Sequence, residues 1–169
     1  MKGPRSLALL LAIVLVFTAF VSCSEDAQVT HTLYELSFTL PKNMRKLDDE
    51  NSDAYYSTLE CGFSAILLTE ERLKNYGIDK SASLEECVDS FFKKKNIDKA
   101  QSYLTYSKEQ NAYFFRYSIS SDGETYYFHY NVFVEGSEDK YFIDMSCEYE
   151  LANYYLIEFE KWAKTVRAE

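Results

Sequence analysis

Three runs of strict two-residue alternation follow one another between residues 113 and 149, and they restrict the chain to folds built on an antiparallel meander. Tyr113, Phe115, Tyr117 and Ile119 share one face of the first run. Tyr126, Phe128, Tyr130, Val132 and Val134 share one face of the second, and Tyr141, Ile143, Met145, Cys147 and Tyr149 one face of the third. A period of two is the signature of a strand, whose successive side chains point to opposite faces. The aromatic and β-branched content suits a pleated, half-buried surface. Ser121-Asp122-Gly123 and Gly136-Ser137-Glu138-Asp139 supply turns short enough to return the chain beside itself. The opposite face of the third run carries Lys140, Asp144, Ser146 and Glu148, with Phe142 the apolar exception. That polarity predicts a strand solvated on one side or lying near an edge.

The rest of the folded region alternates strand and helix signals. Tyr34-Glu35-Leu36-Ser37-Phe38-Thr39-Leu40 is apolar at even positions and ends at Pro41. Residues 42–53 are charged and include Asp48, Asp49, Glu50 and Asp53; they lack the spacing and glycine of a calcium-binding EF-hand and read as a hairpin loop, with 54–59 the returning strand. Residues 61–69 place apolar side chains on both faces, as a covered central strand does. Residues 70–76 suit a short helix closed by Gly77. Ser83 and Glu86 have the spacing of a capping box. Leu84, Cys87, Val88, Phe91 and Phe92 then form one helical stripe, and Lys93-Lys94-Lys95 lies where cations favour a helix C-terminus. Residues 101–107 read as a strand. A closing helix over 150–167 carries Leu151, Tyr154, Tyr155, Phe159, Trp162 and Val166 on its apolar side, with Glu160 and Lys164 outside. Helices and alternating strands together predict an α+β domain, an antiparallel β-sheet packed by helices.

The N-terminus sets the location. A basic start, Met1 to Arg5, precedes an apolar run over Leu7–Val21 and then Ser22-Cys23. As a helix this run of 15 residues spans about 22 Å, short of a hydrocarbon core of about 30 Å, and has the length and flanks of a secretory signal. Phe20-Val21-Ser22-Cys23 resembles the lipobox of bacterial lipoproteins, which implies lipidation of Cys23; ordinary signal cleavage near the same place is the alternative. The expected organisation is a signal peptide over 1–22, the lipidated Cys23 and a tether to residue 32, and one domain over 33–169. His31 falls in the tether and is expected to be solvated. Two acyl chains on Cys23 suffice for stable anchoring without a membrane-spanning helix.

Removal of the leader takes Lys2 and Arg5 and leaves 16 basic against 27 acidic residues, a net charge of −11. Phosphate backbones need a basic face, so nucleic acid is excluded as a partner class. Beyond Cys23 three cysteines remain, Cys61, Cys87 and Cys147. An odd number makes no disulfide framework, and the spacing does not say which two would pair. All three sit on predicted core faces. No metal-ligand spacing, phosphate loop or nucleophile elbow is present, and neither a cofactor nor a metal is expected. His129 is the one histidine of the folded region; it shares its strand face with Tyr127 and Asn131 and is expected to be structural. Glu148 and Glu150 are paired acids in a chain full of acids.

The strand Leu36–Leu40 closed by Pro41, the covered strand, the capped helix, the meander and the terminal Trp-bearing helix resemble, in that order, the PsbP/Mog1-like fold over residues 33–167. The resemblance implies an antiparallel sheet between helices and a partner-binding or accessory module rather than an enzyme. The expected protein is therefore non-catalytic: an extracytoplasmic module, lipid-anchored to the membrane of the cell envelope, that binds a protein or envelope component. Two alternatives remain: a secreted or surface enzyme using His129, or a soluble secreted binding protein. On the binding readings, the Tyr-rich strands over 113–119 and 126–134 are candidate surfaces wherever no helix covers them.

Overall fold

A computed structural model describes residues 27–120 and 123–169. The predicted signal peptide, Cys23 and the turn residues Ser121 and Asp122 lie outside them.

Among the described residues, ten strands form two antiparallel sheets. The smaller joins β1 (Gln28–Leu33), β2 (Leu36–Pro41) and β10 (Arg167–Ala168) in the order β1-β2-β10. The larger contains β3 (Arg45–Leu47), β4 (Ala54–Ser57), β5 (Cys61–Leu67), β6 (Thr105–Ser107), β7 (Ala112–Ser120), β8 (Tyr126–Glu135) and β9 (Lys140–Glu148). Its order is β3-β4-β5-β9-β8-β7-β6. The predicted meander is thus present as β7, β8 and β9, and the covered strand β5 closes against β9. Among the described residues, three helices complete the domain: α1 (Glu70–Asn75), α2 (Leu84–Lys95) and α3 (Ala152–Ala163).

Each face of the large sheet has its own core. On one face α3 and the small sheet cover it: Tyr155, Phe159 and Trp162 from α3 and Leu36, Phe38 and Leu40 from β2 meet Phe63, Val132, Ile143 and Met145. On the other face α1 and α2 supply Leu73, Leu84, Val88, Phe91 and Phe92 against Phe115 and Phe133. The alternation of each strand divides its residues between these two cores, so β8 sends Val132 and Val134 to one and Phe133 to the other. The fold is α+β, as the patterning predicts.

Local chemistry sets the element ends. The Ser83 hydroxyl accepts from the Glu86 N–H at 3.2 Å while the Glu86 carboxylate accepts from the Ser83 N–H at 2.7 Å, completing the capping box at the start of α2. Asn96 ends that helix in the left-handed region at φ 53°, and Gly77 follows α1 at φ 71°, a conformation that costs glycine nothing. Glu35, in the β1–β2 turn, accepts hydrogen bonds from the Ser137 hydroxyl at 2.8 Å and the Asp139 N–H at 3.0 Å. It thereby ties the small sheet to the β8–β9 turn.

Several expectations are corrected. The segment taken as tether is strand from Gln28 onward, so ordered structure begins ahead of residue 33. His31 lies in β1 rather than in solvent, with its ring 4.4 Å from Tyr56 and 5.7 Å from Phe38. Most side chains of β1 are exposed, so it carries little apolar signal; its order comes from backbone pairing with β2. Strand 54–57 does not return beside β2 but pairs with β3 and β5. The strand expected over 101–107 is confined to Thr105–Ser107, after a 3₁₀ turn at Lys99–Gln101. Strand β9 is not an edge: it pairs with β5 on one side and β8 on the other. The closing helix is shorter than expected, beginning with a 3₁₀ turn at Tyr149–Leu151 and yielding to β10. Tyr149 is therefore not in the strand, and Tyr154 is 65% exposed rather than in the apolar stripe. The ion pair on the outside of α3 is Lys161 with Glu158 at 2.7 Å, in place of Glu160 with Lys164.

Candidate functional site

One polar residue of β9, Asp144, lies at the centre of the sheet in a network with β8. The β8–β9 register places Asn131 opposite Asp144 and His129 opposite Ser146, and β7 places Tyr117 opposite His129. All point to the face that carries α2. One carboxylate oxygen of Asp144 lies 2.9 Å from His129 Nδ1 and the other 3.1 Å away. Asn131 Nδ2 donates to the same carboxylate at 2.5 Å and more weakly to the Ile143 carbonyl at 3.4 Å. The Tyr117 and His129 rings stack with centroids 4.9 Å apart and planes 11° apart.

Burial grades across this network. Asn131 is fully buried and its Oδ1 has no hydrogen-bond partner. The side chains of His129 and Asp144 are 18% and 25% exposed. Burial, and next the Asp144 carboxylate, push the Tyr117 phenol well above its ordinary range, so it stays protonated. A ring held by Nδ1 against a carboxylate presents its other nitrogen outward as an acceptor, the arrangement used by histidine bases. Catalysis of acyl transfer also needs a nucleophile bonded to that nitrogen. Among the described residues, no hydroxyl or thiol makes that bond, and no group of three His, Cys, Asp or Glu side chains is placed to hold a metal.

Tyr117 also lines an open cleft of about 660 Å³. The cleft exists because β6 is short: it pairs only with Ala112–Phe114, so the second half of β7 runs on past it. Ser102 bridges part of the gap, its carbonyl accepting from the Arg116 N–H at 2.8 Å. Next to it Tyr103 adopts φ 53° and lays its ring 3.9 Å from the Arg116 guanidinium. This cation–π contact holds two large side chains at the rim. Ile119, Phe128, Tyr149 and Leu156 contribute to the apolar part of the wall. Tyr103 is 69% exposed and Tyr149 55%.

The other sequence candidates are dispersed. Glu148 and Glu150 are exposed at the end of β9 and just beyond it. In the acidic loop Asp53 pairs with Arg72 and accepts from the Leu67 N–H at 2.7 Å, while Asp49 accepts from the Ser52 hydroxyl at 2.5 Å; these carboxylates hold the loop together. Lys94 bonds the Asn75 carbonyl at 2.5 Å and sits over the Tyr76 ring, joining α2 to α1. Of the Tyr-rich strands, the end of β7 lines this cleft together with Phe128 of β8, and Tyr126 at the start of β8 is exposed.

Sequence reasoning singled out His129 and missed Asp144 as its partner. The signal was present in the β8–β9 turn: pairing Glu135 with Lys140 fixes the register of the whole hairpin and brings Asp144 to the diagonal neighbour of His129. Tyr103 and Arg116 carried no such signal, since their meeting depends on where β6 stops.

No family model matches the sequence, and no curated protein matches it. Among solved structures the chain is similar to the solution structure of cyanobacterial PsbP (CyanoP) from Synechocystis sp. PCC 6803, at 12% identity, with 88% of this chain and 96% of that one covered and a TM-score of 0.48. The likeness is one of overall course and brings no residue or activity with it.

Proposed function

We propose that this chain is a lipid-anchored extracytoplasmic binding module, without catalytic activity of its own, that engages a protein or envelope component through the cleft beside β7. The observation that carries this reading is the cleft wall: exposed Tyr103 and Tyr149, with Arg116, Ile119 and Leu156, around about 660 Å³ of open space. Tyr and Arg are the residue types that dominate binding hot spots, because they bring large contact area with few rotatable bonds and a polar handle. The net charge of −11 on the mature chain argues against nucleic acid. The anchor rests on Ser22-Cys23 behind the apolar leader. Only four residues separate Cys23 from Gln28, and the five steps of chain between them reach at most about 18 Å, so a partner would be membrane-proximal.

The test combines two arms. In a bacterial host, Cys23→Ala should release the protein from the membrane fraction and abolish incorporation of labelled fatty acid; unchanged retention refutes the anchor and leaves a soluble secreted protein. A photo-crosslinker at Tyr149 should capture one recurrent envelope component, and Tyr103→Ala should weaken binding of that purified component at least tenfold. Unchanged binding in Tyr103→Ala and Tyr149→Ala refutes the cleft.

One observation favours a second reading. The His129–Asp144 contact at 2.9 Å orients an imidazole as a base would be oriented. Turnover of any substrate that His129→Ala abolishes with folding intact would establish an enzyme in place of the module.

A further inference from the structure

We propose that Cys61 and Cys147 form a reversible cross-strand disulfide between β5 and β9. The register sets these residues directly opposite each other, and both side chains lie in the core on the α3 side of the sheet. Both are free thiols in the structure. The Cys61 carbonyl accepts from the Thr58 N–H at 2.9 Å, and the Cys61 N–H donates to the Thr58 hydroxyl at 3.2 Å. The backbone groups of Cys61 are therefore spent toward β4, which makes Cys61 and Cys147 a non-hydrogen-bonded pair across β5 and β9. In such pairs the Cα atoms stand about 4.5 Å apart and the side chains are at their closest. That separation lies inside the disulfide range of about 4.4–6.8 Å, at its short end. Disulfides at the limits of their geometry are the more readily reduced ones, so the bond is expected to open again with a dithiol.

Access is the second requirement. The two cysteines line one cavity of about 360 Å³, together with Glu60, Tyr127, Glu148 and Leu151. Cys61 is 6% and Cys147 3% exposed, so the cavity brings a small disulfide oxidant beside them and local opening at this end of the sheet completes its approach. The Cys61 thiolate attacks a sulfur of the oxidant and expels one thiolate, leaving a mixed disulfide. The Cys147 thiolate then attacks the Cys61 sulfur and expels the second. The protein loses two protons and two electrons, and the oxidant is reduced to two thiols. Cys61 attacks first because the Thr58 hydroxyl lies 3.4 Å from its sulfur and can donate to the thiolate. Burial raises both thiols, Cys61 against the lowering effect of the Thr58 hydroxyl and Cys147, with Cys61 and Glu148 adding to it, up to about 12, so Cys147 is the slower nucleophile of the two. Cys87 belongs to the core on the opposite face of the sheet, apart from Cys61 and Cys147. The inference is independent of the anchor and of the cleft.

The test exposes the folded full chain to oxidised glutathione at about pH 8.5, quenches with acid, alkylates and maps the peptides. Alkylatable thiols among Cys61, Cys87 and Cys147 should fall from three to one, with Cys87 left and a peptide joining Cys61 to Cys147. Dithiothreitol should restore all three. In denaturant the same treatment should give mixed pairings. Cys87→Ala, which leaves the pair untouched, should cross-link as the parent does. Three thiols surviving in folded protein, bonds that include Cys87, or a stable glutathione adduct on Cys61 without closure would each overturn the proposal.

Discussion

Replacing Asp144 with alanine tests the buried network at its most exposed member. The carboxylate accepts from Asn131 Nδ2 at 2.5 Å and from His129 Nδ1 at 2.9 Å. Asn131 is fully buried, and its Oδ1 already lacks a partner. Without Asp144, its amide keeps only the 3.4 Å contact to the Ile143 carbonyl. Loss of a hydrogen bond to a charged acceptor at a buried donor costs about 1.5–3 kcal/mol. His129 is 18% exposed and can turn to water, adding at most about 1 kcal/mol. Asp144→Ala should therefore destabilise the domain by about 2–4 kcal/mol, a large share of a total stability of about 5–15 kcal/mol. Asn131→Val removes the stranded amide and suits a strand, so Asp144→Ala made in that background should cost only about 1 kcal/mol. The coupling between the two sites is then about 1–3 kcal/mol, well above the additivity expected of independent sites. Urea denaturation of the four proteins, with unchanged m-values, measures it. A cost for Asp144→Ala below about 0.5 kcal/mol, or the same cost in both backgrounds, refutes the network as a stabilising unit.

Other predictions concern the helices and the buried phenols. Ser83→Ala removes the cap of α2 and should cost about 1 kcal/mol in the same assay. Phe159→Ala, at a fully buried position between α3 and the large sheet, should cost about 3–5 kcal/mol, while Tyr154→Ala one turn earlier should stay within about 0.5 kcal/mol; equal costs would contradict the face assigned to α3. Burial pushes Tyr130 up to about 12, with Glu160 adding to it, and raises Tyr117 and Tyr155 as well. With Cys147 also at about 12, the folded chain holds protons that the unfolded chain releases from its ordinary values of 9.0 for a thiol and 10.0 for a phenol. Stability from these groups is complete below about pH 9 and is lost as pH rises toward 12. The denaturant midpoint should fall between pH 8 and 11, and a flat or rising profile refutes this.

Local periodicity alone determined the elements of the meander, the capped α2 and the buried faces of β2, β5 and α3. Each rests on contacts between neighbours in sequence: alternation at i and i+2, a stripe at i, i+3 and i+4, a hydroxyl three residues from a carboxylate. Strand order was another matter. The polar face of β9 suggested solvent, but Asp144 is polar because Asn131 and His129 need a carboxylate at mid-sheet, and a composition pattern does not distinguish those two causes. Strand β1 was invisible because backbone pairing, not side-chain burial, orders it. Tertiary structure alone set Cys61 against Cys147, carried β7 past the end of β6 to open the cleft, and brought Tyr103 onto Arg116. These are meetings between residues distant in sequence, and which of them form depends on covering both faces of one sheet at once, a condition no local stretch of chain contains.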